Sequence, residues 1–221
     1  MLNEKQESAQ SETVARKDTR RGILFVVSSP SGGGKGTLIQ HVLKKVPNVS
    51  YSVSYTTRAP RNGEVEGREY FFVTPQQFEA MVAAGEFLEW AHVHGKLYGT
   101  SRHQVSQEVF AGRDIILEVD VQGAASVREL VTDSVGIFIL PPSLNILRER
   151  LQTRGTDSPE ELELRLRKAP EELKDYKLFD YVIINDEVER AANQLACIVE
   201  AERARRARQE PHVKKIVESF L

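Results

Sequence analysis

The apolar residues of the chain fall into short continuous runs, separated by segments in which they recur at helical spacing. Continuous apolar runs of this kind are typical of strands covered on both faces of a parallel sheet. Four such runs, which we predict to be buried strands, occupy residues 23–27, 115–120, 135–140 and 181–184. Helical spacing follows them at residues 38–46, 122–130, 143–153 and 187–209. The alternation predicts an α/β fold with a doubly wound parallel sheet.

Two insertions interrupt this alternation. Residues 51–100 hold short β-like runs, turns and one helix near residues 75–84, and we interpret them as an inserted mixed β lobe. Residues 150–170 are dense in charge and are interpreted as a helical lid. The predicted organisation is therefore a disordered tail at residues 1–20 and a single domain at 21–221. Within that domain we expect a core (21–50, 101–149 and 171–209), the lobe (51–100), the lid (150–170) and a carboxyl-terminal tail (210–221).

Composition and charge narrow the classes of function. The formal net charge is −2 and charged residues make up 28% of the chain, so bulk electrostatics does not indicate a binder of nucleic-acid polymers. The basic run at residues 203–208 lacks interleaved aromatic residues and is interpreted as a solvated helix face. The chain has no run of about 18 apolar residues, so no membrane-spanning helix is predicted. Cys197 is the single cysteine, so an internal disulfide is excluded and a cytoplasmic location is expected. It lies in an apolar helical stretch, which predicts a position in the core.

A glycine-rich segment between the first strand and the first helix has the context of a phosphate-binding loop. Glycines let the backbone turn its N–H groups inward around a phosphate, and the helix that follows adds its partial positive charge. Lys35 is placed to reach the β- and γ-phosphate oxygens of a nucleoside triphosphate. The predicted ATP-binding residues of this segment are Ser31, Gly32, Gly33, Gly34, Lys35, Gly36 and Thr37.

The loop departs from the strict pattern G-x-x-x-x-G-K-[ST]. Ser29 stands at the first glycine and Gly36 at the position after the lysine, where a magnesium-touching hydroxyl is usual. Adenylate kinases share the glycine and threonine after the lysine. We therefore expect Mg²⁺ to be held mainly by ATP and water near Thr37 and Asp120, without direct protein ligands.

The inserted lobe carries side chains suited to a second phosphate and a base. Arg58 and Arg61 lie three apart across a proline turn, and two converging guanidinium groups can hold a phosphate monoester. Tyr70 and Tyr98 offer hydroxyl donors. Glu89 is a carboxylate in an apolar run and therefore requires hydrogen-bond donors.

With these pieces in place, the sequence resembles the guanylate kinase family over residues 22 to about 200. The resemblance rests on a series of short motifs in the order that the family has them. They are Pro30-Ser31-Gly32-x-Gly34-Lys35, Ser54-x-Thr56-Thr57-Arg58-x-Pro60-Arg61-x-Gly63-Glu64, Gly67-x-x-Tyr70-x-Phe72, Phe87-x-Glu89-x-Ala91, Tyr98-Gly99-Thr100, Asp120-x-Gln122-Gly123, Arg154-Gly155-Thr156 and Asn185-Asp186.

This resemblance implies transfer of the γ-phosphoryl group of ATP to GMP, in guanine nucleotide biosynthesis and recycling, with Mg²⁺ bound with ATP. It implies that Asn185 contacts adenine, that Glu89 and Thr100 read guanine, and that Asp120 lies between the guanine site and the magnesium. The implied GMP-binding residues are Ser54, Arg58, Arg61, Tyr70, Glu89, Tyr98, Thr100 and Asp120. The implied catalytic residues are Lys35, Arg58, Arg150, Arg154 and Arg165.

Two other functions remain open at this level. One is an inactive guanylate-kinase-like module that binds phosphopeptides, and the other is a ribosyl-bisphosphate kinase. His92 and His94 suggest a metal pair, but no third ligand of suitable spacing is evident, so we expect none. The apolar residues between 210 and 221 leave open a short docking helix and a homo-oligomer.

Overall fold

A computed structural model of the chain describes residues 20–93, 95–155 and 158–221, without the side chain of Arg154. Its strands are β1 (Leu24–Ser28), β2 (Val49–Tyr51), β3 (Ser54–Thr56), β4 (Tyr70–Phe72), β5 (Phe87–Val93), β6 (Lys96–Ser101), β7 (Asp114–Glu118), β8 (Val135–Leu140) and β9 (Tyr181–Ile184). Its α-helices are α1 (Lys35–Lys45), α2 (Pro75–Ala83), α3 (Arg102–Phe110), α4 (Val121–Leu130), α5 (Leu144–Arg154), α6 (Pro159–Lys174), α7 (Val188–Ala204) and α8 (Arg206–Glu218). A 3₁₀ turn at Asp175–Leu178 precedes β9.

Five strands form a parallel sheet in the order β2-β7-β1-β8-β9. Every residue of β1 is buried, because this strand lies at the centre of the sheet between two apolar clusters. Helices α1 and α7 cover one face, where Leu38, Val42 and Leu195 belong to the core. Helices α3 and α4 cover the other face through Val105, Val127 and their neighbours. The predicted fold class, an α/β fold with a doubly wound parallel sheet and an inserted mixed sheet, is confirmed.

A second, four-stranded sheet has the order β4-β3-β6-β5. It is mixed, since β3 pairs with β4 in parallel and with β6 in antiparallel, while β5 and β6 are antiparallel. Stacked rings stabilise it, with Tyr55 against Phe71 at 4.7 Å and Phe78 against Phe87 at 4.5 Å between centroids. These large apolar contacts give a sheet of short strands a core of its own.

The charged segment near residue 160 folds as the helix α6. Ser158 and Glu161 form a capping box around Pro159, which occupies the first helical turn. Leu166 and Ala169 pack against Leu147 and Leu151 of α5, so α5 and α6 share a small apolar cluster.

The structure corrects three expectations and adds two elements. The strand β9 is not buried, because it lies at the sheet edge and leaves Val182 and Ile184 exposed by 44% and 54%. The helix expected over residues 187–209 ends at Ala204, and α8 starts anew after the extended Arg205. Cys197 is exposed rather than in the core. The elements α3 and β6 were not predicted.

Most of the predicted tail, residues 1–19, lies outside the described residues. Arg20, which the sequence assigned to that tail, is anchored to the fold because its guanidinium donates two hydrogen bonds to the buried Asp114. Among the described residues, no helix combines the length and apolar character needed to cross a membrane.

Candidate active site

Two neighbouring cavities open at the carboxyl ends of the parallel strands. The first, of about 240 Å³, brings together side chains of the lobe, the loop and α6. Its lining includes the predicted site residues Ser31, Lys35, Ser54, Arg58, Arg61, Tyr70, Glu89, Tyr98, Asp120 and Arg165. The second, of about 490 Å³, is lined by the loop from Ser31 to Thr37 with Arg150 and Asn185. The cavities share Ser29, Ser31, Lys35 and Glu118, and they therefore meet at the lysine of the loop.

The glycine-rich loop joins β1 to α1, which begins at Lys35. Gly32 and Gly34 have φ angles of 87° and 91°, a left-handed conformation that favours glycine. A Cβ at Gly34 would lie 2.3 Å from Asn185 Nδ2, and one at Gly32 would lie 2.8 Å from Leu151. The loop therefore requires glycine both for its backbone conformation and for its close packing.

Lys35 reaches back across the mouth of the loop. Its ammonium donates to Ser29 Oγ at 3.0 Å and to the Ser29 carbonyl at 3.4 Å. Ser29 replaces the first glycine of the strict loop pattern, and its hydroxyl gives the lysine a fixed partner. The positive charge is thereby held where the two cavities meet.

Asn185, just after β9, ties the loop to the sheet. Its side-chain Nδ2 donates to the Gly33 carbonyl at 2.9 Å, and its backbone carbonyl accepts from Arg150 Nη2 at 2.8 Å. Within the described part of the chain, Asn185 Oδ1 and Arg150 Nη1 are buried without a hydrogen-bond partner. A buried unpaired group of this kind costs roughly 1–3 kcal/mol. The second cavity thus offers one unmet acceptor and one unmet cationic donor.

Helix α6 contacts the glycine-rich loop through one cationic and one anionic side chain. Arg165 donates to the Ser31 hydroxyl, while Ser31 N–H donates to Glu172 Oε2 at 3.4 Å. Burial raises the pKa of Glu172, against the effect of the Ser31 hydrogen bond and the charge of Lys35. The structure thus brings Arg165 to the loop, whereas the side chain of Arg154 lies outside the described residues.

The two arginines of the lobe are organised by a carboxylate, that of Glu64. Arg58 Nη2 donates to Glu64 Oε1 at 2.8 Å, and the backbone N–H of Arg61 donates to Glu64 Oε2 at 2.7 Å. Partial burial disfavours ionisation of Glu64, but the hydrogen bonds from Arg58 and Arg61 outweigh it and lower the pKa. The Arg58 guanidinium also lies over the Tyr70 ring, 5.2 Å from its centroid. Arg58 is therefore fixed by an anion and an aromatic face before any ligand arrives.

Glu89 is a buried carboxylate with a hydroxyl partner. It lies on β5 opposite Thr100 of β6, is 7% exposed, and accepts a hydrogen bond from Thr100 Oγ1 at 2.5 Å. Burial raises the pKa of Glu89 to about 7, with a further contribution from the charge of Asp120 and against the Thr100 hydrogen bond. Thr100 itself is fully buried behind Glu89, and its single proton is directed to that carboxylate.

Asp120 stands where β7 gives way to α4. It caps this helix, since its Oδ1 accepts from Gly123 N–H at 2.9 Å. The predicted residue Ser54 is buried at the start of β3, and Tyr98 packs edge-on against Tyr70 at 5.8 Å. These contacts hold the walls of the first cavity in place.

Sequence reasoning assigned no role to three carboxylates that the structure brings to the site. Glu118 ends β7, lines both cavities and accepts from the half-buried Tyr51 hydroxyl at 3.3 Å. Burial, followed by the charge of Glu118, raises the pKa of Tyr51. The available signal was the carboxyl-terminal position of Glu118 on a buried parallel strand, where ligands commonly bind. Glu64 and Glu172 gave no comparable signal.

Among the described residues, no three His, Cys, Asp or Glu side chains are grouped to hold a metal ion. His92 lines the first cavity, and His94, the second member of the suggested pair, lies outside the described residues.

Comparison with known proteins places the chain among the guanylate kinases. A family model described as guanylate kinase matches residues 21–202. Proteins named guanylate kinase from Symbiobacterium thermophilum and Dechloromonas aromatica are 47% and 51% identical, covering 85% and 81% of this chain and 89% of each relative. A crystal structure of guanylate kinase from Anaplasma phagocytophilum superposes with a TM-score of 0.74 at 36% identity, covering 86% of this chain and 90% of that one.

Proposed function

Because the chain belongs to the guanylate kinase family, we propose that its two cavities bind ATP and GMP and that the γ-phosphoryl group passes between them beside Lys35. The protein is a nucleoside monophosphate kinase, an ATP:GMP phosphotransferase that yields ADP and GDP. The observation that carries the assignment of sites is the meeting of the cavities at Ser29, Ser31, Lys35 and Glu118. Two substrates bound there would face one another across the lysine.

The second cavity is the ATP site in this proposal. The loop presents backbone N–H groups at the start of α1, where the helix adds partial positive charge for a phosphate. Arg150 Nη1 would donate to a phosphate oxygen, and Asn185 Oδ1 would accept from the amino group of adenine. Both atoms are buried without partners, so ligand binding would satisfy them.

The first cavity is the GMP site, within the proposed lobe at residues 51–100. Arg58 and Arg61 hold the phosphate, helped by the hydroxyl groups of Ser54, Tyr70 and Tyr98. Glu89 accepts from guanine N1–H and N2–H₂, since a carboxylate oxygen can accept further bonds beside the one from Thr100. Thr100 holds Glu89 in place through its hydroxyl hydrogen bond. Thr100 can donate to guanine O6 only if that hydroxyl turns away from Glu89. Adenine has no N1–H, so it would leave the buried carboxylate without one of its donors.

Catalysis in this site is positioning and charge stabilisation. Phosphoryl transfer spreads negative charge over the equatorial oxygens, and fixed cations stabilise that charge. Lys35 lies at the junction, Arg150 and Arg165 approach from the lid side, and Arg58 approaches from the acceptor side. We assign the same role to Arg154 from its sequence position. Closure of the proposed lid, residues 150–170, would exclude water that could otherwise take the phosphoryl group.

Kinases of this family act on ATP with Mg²⁺, and the residues at the junction suit that ion. The carboxylates of Glu118, at the end of β7, and Asp120, at the cap of α4, and the hydroxyl of Thr37, in the first turn of α1, are hard oxygen groups that line the cavities. We propose that they hold the ion through its water shell. When bound, the ion neutralises charge on the β- and γ-phosphates.

The two alternatives from the sequence are not favoured. An inactive module would not need the glycine-lined loop and its lysine, and the relatives above are named as the kinase. A ribosyl-bisphosphate kinase would have no use for the buried Glu89–Thr100 pair.

A coupled assay of ADP formation tests the proposal directly. We expect ATP to be consumed rapidly with GMP, and far more slowly with AMP, UMP or ribose bisphosphate. Purified protein that forms ADP at equal rates with GMP and AMP, or only with ribose bisphosphate, would show that the acceptor site is misassigned.

A further inference from the structure

Helix α4 contains a glycine that its backbone conformation does not explain. Gly123 is the third residue of α4, and its φ is not in the left-handed region. In a helical conformation, alanine is more favourable than glycine by roughly 0.5–1 kcal/mol. A residue that weakens its own helix points to a constraint from outside the helix.

The constraint is the Glu89 carboxylate. A Cβ built on Gly123 would lie 2.7 Å from Glu89 Oε2, 3.3 Å from Glu89 Cδ and 3.2 Å from Val119 Cβ. The first separation is shorter than real carbon–oxygen contacts allow, so either the carboxylate or the helix would have to move.

Neither side of this contact is free to move without loss. Glu89 is held by Thr100 Oγ1 at 2.5 Å and lies on β5, which pairs with β6 in continuous register from Glu89 to Val93. The helix is held by its cap, because Gly123 N–H donates to Asp120 Oδ1 at 2.9 Å. A methyl group at residue 123 would therefore displace a carboxylate and a cap that both belong to the acceptor site.

We propose that Gly123 is a positioning residue for base selection, and that its missing side chain lets Glu89 stand where it can read guanine. The inference rests on the proposed GMP site and names what sets its specificity. The residue acts through Glu89, and it is not itself a ligand of the base.

The substrate that separates this role from a general loss of activity is IMP. Hypoxanthine keeps N1–H but lacks the 2-amino group of guanine, so a carboxylate placed to accept from both groups favours GMP. A small displacement of the Glu89 carboxylate should weaken its hydrogen bond with the 2-amino group of guanine and so reduce the preference for GMP over IMP. We expect Gly123→Ala to lower the ratio of kcat/KM for GMP to that for IMP by about tenfold, the equivalent of about 1.4 kcal/mol.

The test is a double-mutant cycle with Glu89→Gln, with kcat/KM measured for both nucleotides in all four proteins. If Gly123 acts through Glu89, Gly123→Ala should change the GMP-to-IMP ratio about tenfold in the parent and less than twofold in the Glu89→Gln background. Equal effects in both backgrounds, or no change in the parent, would overturn the inference. Ala125→Gly is the matched control, since it exchanges the same two residue types in α4 and should leave the ratio unchanged.

Two further measurements keep the outcomes distinct. Calorimetric titration of the unmutated protein with GMP and IMP tests the proposed function, which fails if neither nucleotide binds. The inference fails separately if the unmutated protein prefers GMP and Gly123→Ala retains that preference. Should Gly123→Ala not fold, Glu89→Asp/Gly123→Ala shortens the opposing side chain and should restore folding. An equally unfolded double variant would mean that the clash lies with Val119, and the inference would be wrong.

Discussion

The proposed ATP-site loop and the proposed GMP-site lobe differ in the groups that they offer to a phosphate. The loop is built from backbone and small residues, with Gly32 and Gly34 in left-handed conformations and Lys35 held by a neighbouring serine. The lobe is built from paired side chains, chiefly Arg58 with Glu64 and Glu89 with Thr100. In the proposed sites, backbone N–H groups would recognise charge that every nucleoside triphosphate carries, whereas the Glu89–Thr100 pair would distinguish one base from another.

This difference predicts that variants of the loop and variants of the lobe should change different kinetic properties. Changes in the loop should reduce turnover with little effect on which acceptor is used. Changes in the lobe should alter the choice or affinity of the acceptor more than the rate of the bound complex.

The largest effect is expected for Lys35→Ala. Removing a fixed cation from the junction should lower kcat by about 100–1,000-fold, in the range found for loss of one preorganised donor in a dry site. The dissociation constant of GMP, measured by calorimetry without ATP, should change no more than a few-fold, because Lys35 acts on the transferring group.

Lys35→Arg is the control for this prediction, since it keeps the charge and changes its geometry. A loss of GMP affinity parallel to the loss of kcat would contradict the separation of the two sites. The result is informative because Lys35 lines both cavities.

Next in size is Glu89→Gln. The substitution keeps the shape but turns one acceptor oxygen into an amide donor that would face a guanine donor. Hydrogen bonds to charged groups contribute roughly 1.5–3 kcal/mol, so kcat/KM for GMP should fall about 10–100-fold. AMP use should fall much less, and the ratio of the two activities is the measurement. Glu86→Gln, an exposed carboxylate just before β5, is the matched control. An unchanged ratio in Glu89→Gln would reduce Glu89 to a structural role.

The loop could be predicted from sequence and much of the lobe could not, for a physical reason. The loop is local, because its glycines, lysine, strand and helix are contiguous and each has its own signal. The lobe depends on pairing between short strands that carry little periodicity, so β6 was missed along with the helix α3. Glu64 appeared in the sequence only as part of a motif, and its role emerges from its contacts with Arg58 and Arg61.

Long-range contacts account for the other misses. Glu172 reaches Ser31 across 141 residues of sequence, and no local pattern announces such a contact. The predicted burial of β9 was wrong for a similar reason. Val182 and Ile184 are residue types typical of a central strand, and only the strand order exposes them. The break at Arg205 has no glycine or proline to mark it.

A smaller effect is expected for Glu64→Gln. The neutral amide would weaken the hydrogen bond from Arg58, leave the guanidinium less ordered and raise KM for GMP by about tenfold, the equivalent of about 1.4 kcal/mol. The value of kcat should stay within a few-fold, because the arginine is still present when GMP is bound. Glu64→Asp, which retains the charge, should fall between the two proteins. A drop in thermal stability with no change in KM would show that Glu64 only holds the turn.

A different kind of effect, on stability rather than on kinetics, concerns the unliganded protein at different pH values. The pKa of Glu89 is raised from its ordinary value of 4.5 to about 7, chiefly by burial. The folded state therefore holds a proton that the unfolded state releases, and stability falls as pH rises from about 4.5 to 7. Above that window the buried charge should cost up to about 3 kcal/mol, at about 1.4 kcal/mol for each pKa unit. Glu89→Gln carries no such charge, so its melting temperature should exceed that of the parent by several degrees at pH 8 and by much less at pH 5. Differential scanning calorimetry without nucleotide measures this, with Glu86→Gln again as the control. Equal differences at both pH values would mean that Glu89 is ionised in the folded protein throughout, and that the lobe maintains its guanine-reading charge without loss of stability.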